Sequence, residues 1–136
     1  MDPLKSIISI AGSGMHVQSE RLKVVSENVA NADTTGSTPG ADPFRRKTIS
    51  FAEMLDRKTG ALMVKVSETG RDQSEFALRH DPSHPAANAE GFVKVSNVNT
   101  LLEMANMREA SRSYEANMNI FEAGRRMRNQ TIDLLK

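Results

Sequence analysis

Residues 100–135 read TLLEMANMREASRSYEANMNIFEAGRRMRNQTIDLL, and the apolar residues in this run return every three or four positions. This spacing predicts a long amphipathic α-helix, which exceeds about 50 Å at 1.5 Å per residue. Thr100 and Glu103 have the spacing of a capping box, which predicts where the helix begins. The apolar stripe comprises Leu101, Met104, Met107, Ala110, Tyr114, Met118, Phe121, Met127 and Leu134.

A second long helix is predicted at the other end of the chain, over residues 4–29. Its apolar residues are spaced alternately by four and three, as in a coiled coil, and only Gln18 breaks the series. Asp2 suits the N-cap, Pro3 suits the first helical position, and residues 31–36 provide a stop. The series is Leu4, Ile8, Ala11, Met15, Gln18, Leu22, Val25 and Val29.

The segment between the helices has a different character. Residues 33–43 are rich in glycine, proline and threonine, which predicts a turn-rich loop. Four short strands are predicted beyond it, although the stretch 51–57 can also be interpreted as a helical turn. The predicted strands are 47–51, 62–66, 76–79 and 91–95.

The predicted fold is therefore mainly α with a small β insert, in which the long terminal helices form an axial, coiled-coil-like layer and short strands lie between them. The predicted division of the chain is an N-terminal axial helix at 1–32, a flexible loop at 33–46, a small β-rich insert at 47–96 and a C-terminal axial helix at 97–136.

Composition limits the possible functions. The chain has 136 residues, 4% aromatic residues and no tryptophan, which allows one modest domain. A net charge of +1 does not indicate a nucleic-acid partner, and the lack of cysteine excludes disulfides and thiolate metal sites. No apolar run approaches the roughly 20 residues that span a bilayer. Residues 6–15 resemble the apolar part of a signal peptide, but Asp2 and the continuing heptad pattern favour a mature helix.

Candidate chemistry is sparse. His80 and His84 lie four residues apart around Asp81, but the nearby prolines disfavour the helix that would place both imidazoles on one face. An ordered turn is the better interpretation. His16 stands alone and is interpreted as a partly exposed polar contact. The sequence therefore predicts no catalytic, cofactor or metal site, and no enzyme.

Three arginines and three glycines in the helices have structural interpretations. The cluster Arg125, Arg126 and Arg128 lacks a neighbouring stacking aromatic residue, so a solvated or inter-subunit ion-pairing face is favoured over nucleic-acid binding. The glycines Gly12, Gly14 and Gly124 are interpreted as points of close helix approach, although each costs about 1 kcal/mol relative to alanine.

An apolar stripe on a long helix can be buried against the partner helix, another subunit or a membrane interface. The membrane is the weakest of these options, because acidic and basic residues alternate on the polar face. The predicted assembly interface consists of Leu4, Ile8, Met15, Leu22, Val25, Val29, Met104, Met107, Tyr114, Met118, Phe121, Met127 and Leu134.

Several motifs favour assembly. Residues 13–22 followed by 27–31, Glu-Asn-Val-Ala-Asn, resemble the N-terminal signature of bacterial flagellar rod and hook proteins. Further motifs in the order seen in the basal-body rod members of this family extend the resemblance along essentially the whole chain. Ser96 and His80 depart from the usual proline and aromatic residue, both near the junction of the insert with the last helix. The further motifs are residues 44–47, 81–85, 91–93, 97–99, 103–107 and 111–117.

The resemblance implies a structural subunit of the proximal rod of the flagellar basal body, part of the drive shaft that transmits motor torque. It also implies export through the flagellar type III apparatus without a cleavable signal peptide, and assembly in the periplasm with the rod proteins FlgB, FlgF and FlgG, the export-gate adaptor FliE and copies of itself. No cofactor, nucleic acid or direct membrane insertion is expected. A cytoplasmic adaptor or chaperone of the export apparatus is the alternative, distinguished by its location.

Overall fold

The computed structural model describes residues 2–136 and confirms the predicted fold class. Two long helices enclose a small β insert in sequence, so the chain is dominated by helix. The elements are α1 Pro3–Ala30, β1 Lys47–Leu55, β2 Leu62–Arg71, β3 Ala77–His80, β4 Phe92–Val95 and α2 Thr100–Leu134. Among the described residues, neither helix is long and apolar enough to cross a membrane.

Helix α1 begins and ends where the sequence predicts. The Leu4 N–H donates to Asp2 Oδ1 at 3.0 Å, so the side chain of Asp2 caps the first turn as expected. At the other end, the Asn31 N–H donates to Glu27 O at 3.1 Å, and the chain then turns away from the helix.

The predicted cap of α2 is wrong. The Asn99 side chain, and not that of Thr100, accepts hydrogen bonds from the Leu101 and Leu102 N–H groups at 3.1 and 3.3 Å. Glu103 is one turn into the helix, and its carboxylate forms an ion pair with Arg46 instead of reaching back to the helix end. The ion pair with Arg46 engages the Glu103 carboxylate, which is only 1% exposed, so this carboxylate is not available to the backbone N–H groups at the helix end.

The insert contains two separate two-stranded sheets, β1–β2 and β3–β4. Strands β1 and β2 extend beyond the predicted ranges, and residues 51–55 are strand, so the alternative of a helical turn is wrong. The turn joining β1 to β2 is closed by hydrogen bonds from Asp56 N to Ala61 O and from Gly60 N to Asp56 O, at 2.9 and 2.7 Å. This turn aligns the two strands for pairing, so both are longer than the side-chain pattern predicts.

Strands β3 and β4 pair antiparallel, with Ala77 opposite Val95 and His80 opposite Phe92. An isolated bridge joins Thr35 to Val95, which ties the loop after α1 to this sheet. Both strands fall within one residue of their predicted ranges.

The chain divides into two compact units. Unit 1 consists of the described residues up to Leu22 together with Ile49–Glu68 and Arg108–Lys136, and unit 2 consists of Lys23–Thr48 and Thr69–Met107. Buried apolar residues in unit 1 are Ala11, Val17, Ala61 and Ala110, and in unit 2 are Val24, Val25, Ala32, Ala86 and Val93. The four-segment division stated above stays a prediction.

Candidate functional site: a polar junction and exposed apolar surfaces

Unit 2 is organised around a set of polar side chains that meet where β1 begins. We name this set the polar junction, and it comprises Glu27, Asn28, Arg46, Lys47, Asp72, Asn97 and Glu103. It joins the last turn of α1 and the first turn of α2 to the start of β1.

Two asparagines hold the backbone at the start of β1. The Arg46 N–H donates to Asn97 Oδ1 at 2.8 Å. The Lys47 N–H donates to Asn28 Oδ1 at 2.8 Å, and Asn28 Nδ2 donates back to Lys47 O at 2.9 Å. Asn28 therefore satisfies both backbone polar groups of Lys47, as a neighbouring strand would, and it is completely buried.

The side chains of the same two basic residues are paired with carboxylates. Arg46 forms an ion pair with Glu103, which is only 1% exposed, and its Nη1 lies 3.7 Å from Asp72 Oδ2. Lys47 forms an ion pair with Glu27. Because a buried carboxylate without a partner is strongly destabilising, the Arg46–Glu103 pair ties α2 to the insert.

Asn97 also links the two edges of the junction. Its Nδ2 donates to Asp72 O at 3.0 Å and to Ser74 O at 3.2 Å, while its Oδ1 accepts the hydrogen bond from the Arg46 N–H. The Ser74 N–H, which donates to Asp72 Oδ1 at 2.9 Å, lowers the pKa of the Asp72 carboxyl, with further contributions from the Ser74 hydroxyl and the nearby Arg46 and Arg45.

At the α1 side of the junction, the hydrogen bond from Lys47 lowers the pKa of Glu27. The positive charges of Lys47, Lys23 and Arg71 act in the same direction. Both junction carboxylates with shifted pKa values are therefore stabilised in their charged forms.

The glycines on α1 and α2 mark close contacts within unit 1. A Cβ atom at Gly14 would lie 2.7–2.9 Å from the side-chain amide of Asn117, and one at Gly124 would lie 3.0 Å from Ile8 Cγ1. This confirms the interpretation of these two glycines as points of close helix approach. Gly12 differs, because a Cβ atom there would meet Phe121 at an ordinary 3.8 Å.

His80 and His84 form structural contacts, and His16 is exposed. His84 Nδ1 accepts a hydrogen bond from the Ala86 N–H at 3.0 Å, and its Nε2 lies 3.2 Å from Thr35 Oγ1. The His80 ring meets Phe92 edge-on at 5.1 Å. The His84 N–H donates to Asp81 O at 3.1 Å, so the predicted ordered turn is confirmed. Among residues 2–136, no group of three acidic or histidine side chains is arranged to hold a metal ion.

The predicted interface residues of α1 have little free surface. Val25 is only 4% exposed and belongs to the core of unit 2. The remaining five are half-buried: Leu4, Ile8, Met15, Leu22 and Val29.

The predicted interface residues of α2 vary more. Met104, Met127 and Leu134 are exposed, with 50%, 52% and 86% of their surface accessible. Met107, Tyr114, Met118 and Phe121 are half-buried. Which of these residues contact another subunit stays a prediction.

Sequence reasoning missed several of the most exposed apolar residues. The sequence did contain a signal for some of them in the adjacent pairs Leu101–Leu102 and Leu134–Leu135. Adjacent residues on a helix point about 100° apart, so the two leucines of a pair cannot both face one partner. The missed residues on the helices are Ile7, Ile10, Leu101, Leu102, Ile120 and Ile132, Leu135 follows α2 directly, and those on the strands are Phe51, Met54, Leu55, Leu62 and Leu78.

The chain is similar to known flagellar proteins along its whole length. Residues 8–38 match the family described as "Flagella basal body rod protein", and residues 89–134 match "Flagellar basal body rod FlgEFG protein C-terminal". A relative from Agrobacterium fabrum, "Flagellar basal-body rod protein FlgC", is 54% identical over 136 residues, covering 100% of this chain and 98% of its own. A protein with the same description from Escherichia coli is 38% identical, over 96% of this chain and 97% of its own. One from Borreliella burgdorferi is 33% identical, over 98% of both chains.

Proposed function

The chain belongs to the FlgC family of flagellar basal-body rod proteins, whose members are structural components of the rod, and we propose that it builds the proximal rod that transmits motor torque. The observation that carries this proposal is the end-to-end similarity, which includes both terminal helices and the insert. Family membership supports a structural role, and we propose no catalytic activity.

The polar junction suits a load-bearing subunit. Torque applied to a rod subunit tends to rotate its insert against its helices, and a joint held by several hydrogen bonds and ion pairs resists that rotation. In unit 2, Asn28 and Asn97 hold the backbone of β1, while Glu27 and Glu103 hold the side chains of the same residues. This arrangement supports the proposed mechanical role.

We propose that the neighbours of the subunit are FlgB, FlgF, FlgG, the adaptor FliE and further copies of this chain. The proposed route is export through the flagellar type III apparatus without a cleavable signal, followed by assembly in the periplasm. The exposed apolar residues of unit 1 support a role in which other proteins cover them, because monomeric proteins rarely leave large apolar patches open.

We further propose that the terminal helices gain much of their stability on assembly. Long helices are marginal alone, because most helical stability comes from packing of the apolar face. Circular dichroism of the dilute, purified chain tests this proposal. We expect helical content well below that of the two complete helices, and near-complete helicity would contradict it.

Purification of intact basal bodies, followed by detection with an antibody to this chain, tests the main proposal. We expect stoichiometric presence in the rod fraction. If the protein were absent there and soluble in the cytoplasm, the export-adaptor alternative would replace it.

A pair of substitutions tests the assembly interface. We expect Leu22→Asp or Phe121→Asp to prevent rod completion and swimming, because a charge would enter a packed helical contact. His84→Gln serves as the comparison, since its turn contacts are replaceable and swimming is expected to persist. A folded but non-motile His84→Gln protein would argue for a functional role of that imidazole.

A further inference from the structure

The end of α2 extends past its partner helix within unit 1. Gly14 approaches Asn117, Gly12 approaches Phe121 and Gly124 approaches Ile8, so the two helices run antiparallel. By the same progression the first residue of α1 falls opposite the turn near residue 129, whereas α2 continues to Leu134. Every residue from 125 to 136 is exposed, and we name this segment, which begins beside the start of α1 and continues beyond it, the overhang.

One face of the overhang combines a basic residue with apolar residues. Arg128 and Ile132 are four residues apart on α2, which places them on the same side of the helix, and Leu135 follows directly after the helix ends. Ile132 is 49% exposed and Leu135 is 82% exposed, and Arg128 forms no ion pair within the described residues. Arg125 and Arg126 instead lie with Glu122 and Asn129 around a shallow cleft of about 230 Å³.

A complementary surface lies on β1. Phe51, Glu53 and Leu55 alternate along the strand and therefore share one face, which we name the β1 stripe. Phe51 is 36% exposed and Leu55 is 58% exposed, and Glu53 between them forms no ion pair within residues 2–136. The stripe thus presents one unpaired carboxylate between two exposed apolar side chains.

The turn next to the β1 stripe is held firmly. Asp56 Oδ1 accepts a hydrogen bond from the Lys58 N–H at 3.0 Å, and its Oδ2 accepts one from the Thr59 hydroxyl at 2.7 Å. The Thr59 hydroxyl and the Lys58 N–H lower the pKa of Asp56, so the charged form that makes these bonds is favoured. A surface that is ordered before binding loses little conformational entropy when a partner covers it.

We propose that the overhang of one copy of this chain docks on the β1 stripe of a second copy. Arg128 pairs with Glu53, and Ile132 covers Leu55. The dimensions agree, because Arg128 to Ile132 spans about 6 Å along a helix and Glu53 to Leu55 spans about 7 Å along a strand. The inference rests on the proposed function, which requires copies of the chain to adjoin.

Charge and symmetry favour a second copy over a lipid surface. An anionic membrane would attract Arg128 but repel Glu53, whereas the second copy uses both unpaired charges. The two contacting patches differ, so the contact is heterologous, and each copy retains one free patch for the next. Such a contact continues along an assembly, as the growth of a rod requires.

Engineered cysteines test the contact directly, because the natural chain has none. Cells producing both Leu55→Cys and Ile132→Cys chains are used to prepare intact basal bodies, which are then oxidised. We expect a disulfide-linked dimer of the two chains. Leu78→Cys with Ile132→Cys is the matched control, since Leu78 is 61% exposed, as Leu55 is 58% exposed, but does not belong to the β1 stripe.

Charge reversal adds a specific readout. Glu53→Arg or Arg128→Glu alone is expected to lower the linked fraction roughly tenfold, because repulsion replaces attraction, and the double reversal is expected to restore it. Basal bodies that contain both cysteine chains but give no more dimer than the control would overturn the contact while leaving the rod function intact. Linkage to a different protein would also overturn the assignment to a second copy.

Discussion

Units 1 and 2 achieve order in different ways. Unit 2 buries polar groups, with Asn28 and Glu103 almost inaccessible and paired, and leaves four large apolar side chains exposed. Unit 1 buries small residues such as Ala11 and Ala110, relies on close contacts at Gly14 and Gly124, and leaves eleven large apolar side chains exposed. The comparison indicates that unit 2 pairs its buried polar groups within itself, whereas unit 1 exposes apolar surface that neighbouring proteins could cover.

The largest expected effect concerns the buried charge of unit 2. Glu103→Ala removes a partner of Arg46 and is expected to lower the free energy of unfolding by about 2 kcal/mol, because a hydrogen bond between charged groups is lost while the partly exposed Arg46 keeps Asp72 nearby. Urea unfolding of the purified chain measures this loss. Glu103→Gln, which keeps the shape and some of the hydrogen bonding, should lose less, and an unchanged stability of Glu103→Gln would show that the charge is unimportant there.

The next effect concerns the helix contacts of unit 1. Gly14→Ala places a methyl group against the Asn117 amide, and we expect a net loss of about 1 kcal/mol because the cost of overpacking exceeds the gain in helix propensity. Gly12→Ala is the matched control, since its methyl group meets Phe121 at 3.8 Å and a small gain in stability is expected. Thermal unfolding should separate the two variants in opposite directions, and a gain at both positions would remove close packing as the explanation.

A smaller effect is expected from pH on unit 2. The folded-state pKa values of Asp72 and Glu27 lie below their ordinary 3.8 and 4.5, so the stability they contribute is present above those values and lost as pH falls through the lowered ones. Urea unfolding from about pH 6 down to about pH 3 should therefore show decreasing stability, with a shallower decrease for Asp72→Asn. Asp133→Asn, at the exposed end of α2, provides a comparison and should follow the unmodified chain.

The smallest change in the free energy of unfolding is expected from a substitution at the end of α2. The same substitution is expected to impair swimming strongly. Leu134 is 86% exposed, so Leu134→Glu should change the free energy of unfolding by no more than about 0.5 kcal/mol. Swimming in soft agar should nevertheless be impaired, because a charge would enter a surface that assembly covers. Leu78→Glu, on an exposed strand of unit 2, is the comparison, and normal swimming with Leu134→Glu would remove the assigned role of this surface.

The long helices were predictable because their apolar residues repeat at helical intervals over many turns. The ends of α1 were also predictable, since Asp2 and Pro3 are local signals. The start of α2 was mispredicted, because local spacing does not show that Arg46, more than fifty residues earlier, binds Glu103. Long-range partners of this kind decide which of two competing caps forms.

The polar junction left a weak trace in the sequence. Glu103 shares a helix face with Met107 and Ala110, and an acidic residue on an apolar stripe indicates a buried partner. The identity of that partner was not readable, because Arg45, Arg46 and Lys47 are adjacent and only the direction of the strand determines which side chain faces α2. The structure shows that Arg45 instead lies over the Phe76 ring at 4.2 Å.

The two asparagines at the start of β1 have a consequence for the conditions under which the subunit stays rigid. Dissolved salt screens partly exposed charges such as Lys47 and Glu27, and the screening length shortens from about 10 Å at 0.1 M as salt is added. The hydrogen bonds from Asn28 and Asn97 to the backbone involve neutral amides, which neither titrate nor attract counterions. The direction in which the strand leaves the helices is therefore set by contacts that keep their geometry when the surrounding medium turns saline or acidic.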